Sequence, residues 1–325
     1  MNMTRLDPDF QGKAVADLMA AFRKLWLAPG SMLPLVFKSP TGSGKTFMTE
    51  SFIQELSPLN GFDADIAWIW ITFSDDLAMQ SKAKFEEYFY PNVGRRLLTV
   101  ADFNDGVLGR DDVLFLNWQK LVADNADSRI LRRPENVTKK KESGYYFEDI
   151  IEATQAEGRQ IVMVIDESHK NLTEAAKRIV IDPVNPKVML MVSATPKYVP
   201  SREDEDDCKA GFVRVKREDV VAAGLVKEAI VSQTKDEIEF GSNEEDLDAK
   251  LLDLAIKRRD ELAAEWKKAG SKVKPLILVQ LPDEKKSDAE TKIKKEVVLE
   301  YLAKCGVPEE HVANWFDSDK DIDKL

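Results

Sequence analysis

Apolar residues in the first 200 positions follow two alternating patterns. Between residues 10 and 26 (FQGKAVADLMAAFRKLW), Val15, Leu18, Met19, Phe22 and Leu25 recur at the three- and four-residue spacing of one helical face. Residues 33–38, 66–72, 98–100, 113–116, 161–165 and 188–192 are instead short apolar runs, rich in β-branched side chains and bounded by polar or turn residues. Such runs read as strands buried on both faces, and helical stretches such as 47–56 lie between them. The alternation predicts an α/β domain over residues 1–235, a parallel sheet covered by helices. Between Ala123 and Arg159 the pattern weakens into a polar stretch with Lys139, Lys140 and Lys141, expected to be an excursion on the domain surface.

After residue 235 the texture changes. Ser242 and Glu245 form a candidate capping box, and Leu247, Leu251, Leu254, Leu262 and Trp266 continue a helical stripe as far as Gly270. This reads as a connector helix over residues 236–271. A fresh strand is expected from Pro275 (PLILVQL), then a charged helix from about Asp288 to Lys304 stopped by Gly306, then a strand-like piece from His311 to Phe316. One strand, one helix and one further strand do not complete a doubly wound domain, so residues 272–325 are expected to be the unfinished start of a second one.

Composition narrows the class. Hydrophobic residues make up 43% and charged residues 32% of the 325, as in a soluble globular protein. No run approaches the roughly 18 apolar residues of a membrane span, and the N-terminus MNMTRLDPDFQ has no basic region followed by an apolar stretch. The protein is expected in the cytoplasm, with no membrane partner. Cys208 and Cys305 lie outside any metal-type spacing and the only histidines are His169 and His311, which argues against structural zinc and against Ser/His or Cys/His nucleophilic chemistry. The net charge of −11 is divided unevenly, −3 over residues 1–200 and −8 over 201–325. A basic coat for wrapping nucleic acid is thereby excluded, though a local basic groove is not. The run Glu203–Asp207 (EDEDD) reads as a solvated loop.

Three segments carry chemistry. Ser39-Pro40-Thr41-Gly42-Ser43-Gly44-Lys45-Thr46 matches the phosphate-binding pattern G-x-x-x-x-G-K-[ST], except that Ser39 replaces the first glycine. In such a loop Gly42 and Gly44 turn backbone N–H groups inward, and the following helix adds the positive end of its dipole. Lys45 would reach the β and γ phosphates and Thr46 would hold magnesium. The run 161–165 delivers Asp166-Glu167-Ser168-His169 at the end of an apolar strand, where a metal-binding carboxylate belongs in such a sheet. Asp166 would hold Mg through its water, and Glu167 would activate the attacking water. Ser193-Ala194-Thr195-Pro196 then follows the strand 188–192.

In this order the three segments resemble the superfamily 2 helicase and translocase engines, with their phosphate loop, D-E-x-H box and S-A-T segment. The resemblance implies a RecA-like domain pair with Mg-ATP between the two, the second pair member incomplete here. It also implies coupling roles for His169, Ser193 and Thr195. Phe10-Gln11 resembles the segment by which these enzymes read adenine, with Gln11 as the hydrogen-bonding amide. Thr72, Phe73, Ser74 and Gln80, and then Asn117 and Trp118, lie where these engines hold one nucleic-acid strand by its phosphates.

The wording of Trp70–Gln80, Phe115–Leu121, Asp166–His169, Ser193–Pro196 and Lys274–Gln280 looks like the restriction (Res) subunits of type III restriction-modification enzymes. That resemblance implies an ATP-dependent motor on double-stranded DNA, working in restriction or phage defence beside a methyltransferase subunit. An ATP-gated DNA-binding or regulatory module with little hydrolysis is the alternative. The departures matter: no Q-x-x-G-R-x-x-R-like segment follows Lys274, and Gly94-Arg95-Arg96 reads as ordinary surface in the wrong domain. Pro282-Asp283 with Glu290-Thr291-Lys292 only mimics a nuclease motif, because its spacing is short and its second half sits in a charged helix. The chain is therefore expected to be an N-terminal portion, a split subunit or a truncated relative, hydrolysing ATP slowly by itself.

Overall fold

The computed structural model describes residues 9–56, 61–89, 95–99, 102, 106–122, 145–171, 174–226, 244–281 and 289–313. The chain divides into two compact units, Met1–Ala229 and Ile230–Leu325. The first unit carries a seven-stranded sheet in the order β3-β4-β2-β5-β6-β1-β7. Its strands are β1 (Leu33–Lys38), β2 (Ile66–Thr72), β3 (Leu97–Leu98), β4 (Val113–Asn117), β5 (Gln160–Ile165), β6 (Val188–Ser193) and β7 (Gly211–Arg214). Every pairing is parallel, which is the RecA-like α/β architecture.

Alternation along the central strands explains why both faces are buried. On β2, Trp68 and Trp70 enter one core and Ala67, Ile69 and Ile71 the other. Helices α1 (Asp9–Leu27), α2 (Lys45–Glu55) and α3 (Asp75–Tyr88) cover the tryptophan side through Leu18, Phe22, Leu25, Met48, Phe52 and Phe85. Beyond the short α4 (Gln119–Val122), α5 (Phe147–Ala156) and the segment 174–184 cover the opposite side. The polar excursion therefore ends earlier than Arg159, because Phe147, Ile150, Ile151 and Thr154 share a helical face that packs on the sheet. Residues 123–144, with the three lysines, lie outside the described residues.

Several expectations change. The strand expected over 98–100 is the two-residue β3, and Val100 is outside the described residues. Residues 202–206 of the acidic run form a short helix, capped by Ser201 Oγ accepting from Asp204 N at 3.1 Å. Acidic side chains in a first turn face the positive helix end, so the run is better placed there than in a loop.

Arg95 is half-buried rather than surface-borne. It donates to the carbonyls of Ile53 and Asp111 and to Gln54 Oε1, with its guanidinium over the Phe85 ring.

In the second unit the described residues form a helix over Glu244–Lys268, another over Ala289–Lys304, and a single 3₁₀ turn at Glu309–His311. Ser242 of the capping box lies outside them. The strand expected from Pro275 is absent: residues 271–281 form no ladder with any described residue, and Leu276 and Leu278 are 87% and 91% exposed. A parallel strand needs neighbours for its N–H and C=O groups and cover for its side chains, and the described part of this unit offers neither. His311 ends the 3₁₀ turn instead of opening a strand, and residues 314–316 are not described. Among the described residues no helix is long and apolar enough to cross a membrane.

Candidate functional site

The site forms where the C-terminal ends of β5, β6 and β1 lie side by side, the position at which open α/β sheets leave room for a ligand. Register places Lys38 opposite Ser193, so the loop leaving β1 starts against the end of β6. Ser39 N–H donates to the Ser193 carbonyl at 3.1 Å. Within the loop, Ser43 N–H and Ser43 Oγ both reach the Pro40 carbonyl, at 3.2 and 2.6 Å, and the hydroxyls of Ser39 and Ser43 lie 2.6 Å apart.

Gly42 and Gly44 adopt φ +83° and +85°, a region that glycine enters without a Cβ penalty. Gly44 also opens α2, whose first-turn N–H groups have no acceptor four residues back.

Lys45 is buried, with Nζ 3.8 Å from Glu167 Oε1. Asp166 directly follows β5, and burial with the neighbouring Glu167 charge pushes its pKa up to about 6, against the pull of the Glu167 N–H, Lys45 and Lys84. That N–H reaches Asp166 Oδ1 at 2.9 Å. Glu167 holds φ +49°, an uncommon conformation for a residue with a Cβ, of a kind that clusters at functional sites. His169 Nδ1 bridges the two remaining segments, 3.2 Å from Glu167 Oε2 and 2.9 Å from Ser193 Oγ. Ser193 Oγ in turn accepts from Thr195 N–H at 3.0 Å. Lys45, Thr46, Asp166, Glu167, His169, Ser193 and Thr195 are thus brought to one place, with Thr41 and Gly42 exposed at the loop tip.

Gln11 lies against the same loop. It is buried on α1, and its Nε2 donates to the Ser43 carbonyl at 2.9 Å, so the amide braces the phosphate loop. A Cβ on Gly44 would meet that nitrogen at 2.6 Å.

The nucleic-acid candidates also divide. Trp118 N–H donates to the Thr72 carbonyl, so the two segments adjoin. Thr72 Oγ1, however, donates to the Ser74 carbonyl at 2.9 Å, Asn117 Oδ1 accepts from Lys120 N–H at 2.9 Å, and the Trp118 ring is buried. The Thr72 and Asn117 side chains thus bond to backbone at strand ends, and the Trp118 ring packs in the core. Phe73 and Gln80 face solvent, and Ser74 caps α3 by accepting from Leu77 N–H at 3.4 Å.

One residue escaped sequence reasoning. Glu50 lies one turn beyond Thr46 on α2, fully buried, and neither carboxyl oxygen finds a hydrogen-bond partner among the described residues. Burial pushes its pKa up to about 9, against Lys84 and with Asp166 adding to the rise. Its spacing of four from Thr46, on the same helical face, was the available signal.

No curated protein matches the chain. Among solved structures, the UvsW helicase from bacteriophage T4 aligns with a TM-score of 0.36 at 14% identity, over 63% of this chain and 58% of that one. A nuclease-deletion mutant of the type ISP restriction-modification enzyme LlaGI, in complex with a DNA substrate mimic, aligns at 0.43 and 16% identity over 67% and 18%. The SWI2/SNF2 ATPase core of Sulfolobus solfataricus in complex with dsDNA aligns at 0.34 and 15% identity over 62% and 33%. The alignments span at most 58% of the length of these structures. Residues 8–198, more than half of the chain, match the family model for type III restriction enzyme res subunits, and the chain belongs to that family.

Proposed function

We propose that this chain binds Mg-ATP at the loop Ser39–Thr46 and works as the ATP-hydrolysing part of a DNA translocase in restriction or related phage defence. The convergence of Lys45, Asp166 and Glu167 on one edge of the sheet carries the reading, since an ammonium and two carboxylates serve phosphoryl transfer there. The donors fit a divalent cation: Asp166 is a buried carboxyl whose charge burial opposes, and a nearby cation would reverse that penalty. Thr46 Oγ and Asp166 would hold Mg, which when bound neutralises phosphate charge.

The chain's own groups supply the rest. Lys45 and the N–H groups opening α2 bind the phosphates, Gln11 keeps the loop in shape, and Glu167 takes the proton of the attacking water at its carboxylate. His169, held between Glu167 and Ser193, fixes that carboxylate and ties it to the β6 end, and Thr195 tightens the same tie. Phe73, Ser74 and Gln80 are the residues offered to a DNA strand, preferably of a duplex, and a methyltransferase subunit is the expected companion.

Single-turnover hydrolysis together with nucleotide binding tests this assignment. Lys45→Ala is expected to abolish Mg-ATP binding, and Glu167→Gln to keep the affinity while slowing the chemical step by about 100-fold or more. Unchanged hydrolysis in Glu167→Gln would remove the assigned base. Tight ATP binding whose turnover ignores DNA would favour the nucleotide-gated module.

A further inference from the structure

We infer that α3 is the mechanical link between a bound DNA strand and the phosphate loop, with Tyr88 and Phe89 as the positioning residues that grip Phe47. The inference rests on the motor reading above, and concerns residues to which that reading gives no part.

The two ends of α3 touch different things. At its start, Phe73 is 49% exposed, Leu77 and Met79 are exposed beside it, and Ser74 is fixed to the end of β2 through the Thr72 hydroxyl. At its end, the Tyr88 ring meets the Phe47 ring edge-on, with centroids 5.3 Å apart and planes at 89°. Phe89 stacks on the same ring at 6.2 Å and 14°, and itself leans on Phe85 at 5.3 Å. Phe47 directly follows Thr46, so these rings hold the residue next to the proposed metal ligand. Edge-on and stacked contacts of this kind fix relative orientation as well as distance.

Between its ends the helix is stiff and anchored. Its 14 residues span about 21 Å, and Ala78, Ser81 and Phe85 bury one side of it. A displacement imposed at Phe73–Ser74 therefore reaches Phe47 as a movement of a packed rod, not through loosely connected loops. Interiors this dense transmit strain.

Thermodynamic linkage makes the inference measurable without turnover, because DNA must change nucleotide affinity by the same factor as nucleotide changes DNA affinity. The experiment titrates a fluorescent Mg-ATP analogue into the full chain with and without a saturating 30-base-pair duplex. Wild type is expected to show a coupling ratio of about 5-fold or more. Tyr88→Leu should bring the ratio to within about twofold of one, and leave each ligand's affinity measured alone, and the melting temperature, near wild type. The ring is 42% exposed, so its loss leaves no buried cavity. Tyr88→Phe should restore the ratio, as the edge-on contact needs the ring and not the hydroxyl.

A merely structural role would move the melting temperature or the separate affinities and spare the ratio. Tyr88→Leu with a wild-type ratio overturns the inference, as does a wild-type ratio of one. Failure of the wild-type chain to bind nucleotide or DNA at all overturns the motor reading itself, and is distinguishable from both.

Discussion

Ser39 stands where the phosphate-loop pattern has its first glycine, and its hydroxyl lies 2.6 Å from Ser43 Oγ inside the loop. The side chain closes the loop on itself, so the departure is accommodated by a hydrogen bond. Gly44 has no such freedom: φ is +85° and Gln11 Nε2 would lie 2.6 Å from an added Cβ. Gly44→Ala should therefore weaken Mg-ATP binding by about tenfold or more, equivalent to about 1.4 kcal/mol. Adding Gln11→Ala should not rescue it, because the left-handed backbone remains strained. Full rescue in the double variant, read by nucleotide titration, would show that the clash alone matters.

Glu50 gives a pH signature. Its folded pKa of about 9 stands above the 4.5 of an exposed glutamate, so the folded state holds a proton that the unfolded chain releases. Its burial is then least costly below pH 4.5, and stability falls as pH rises toward 9, by at most about 1.4 kcal/mol per pH unit. Lys84, Asp166 and Tyr88 are the titratable groups that act on or respond to it. Glu50→Gln, neutral at every pH, should lose less stability than wild type between pH 6 and 8 in urea titrations; parallel losses would count against a protonated Glu50. Sequence patterns marked the residues proposed to bind phosphate because loop, strand end and spacing are local. Glu50 was not marked, as its character comes from burial between helices. Thr72 and Asn117 are ambiguous for a related reason, since small polar residues at strand ends serve equally as backbone caps and as phosphate contacts.

At the scale of elements, β1, β2, β5 and β6 were readable as unbroken apolar runs, while Leu276–Leu281 has the same composition and forms no strand. A run states what a segment can pair with, and the pairing itself depends on neighbours far away in sequence. Arg95 shows the same dependence in reverse: nothing local marks it as internal, yet it ties the residues before β3 to the C-terminal end of the phosphate-loop helix. Two of its bonds end on backbone carbonyls that would lose their donor. Arg95→Leu should cost about 1–3 kcal/mol in chemical denaturation. A change under about 0.5 kcal/mol would mean that water replaces the clip.

For the whole molecule, the net charge of −11 bears on how the proposed DNA contact would be made. Contact confined to a small face engages few phosphates, so log K against log salt should fall with a slope shallower than about −4, at about 0.9 per phosphate. Duplex titrations at 50 and 200 mM salt, as order-of-magnitude conditions, measure this, and a slope belonging to six or more phosphates would place the contact surface elsewhere.

Hydrolysis is set at the same scale. In the proposed site the first unit supplies Lys45, Asp166 and Glu167, none of the described groups placed there is an arginine, and no Q-x-x-G-R-x-x-R-like segment follows Lys274 in the 325 residues. An arginine meeting transition-state charge is worth about 10³ to 10⁵ in rate in phosphoryl-transfer enzymes. The chain alone is therefore expected to bind Mg-ATP and turn it over far more slowly than about one per second. Addition of a partner or further segment carrying such an arginine should raise the rate without much change in affinity, since the missing interaction belongs to the transition state. Steady-state ATPase on residues 1–325 decides the point. Turnover near one per second that Lys45→Ala abolishes would mean that a second copy of the chain, or a residue outside the site described, already provides the cation.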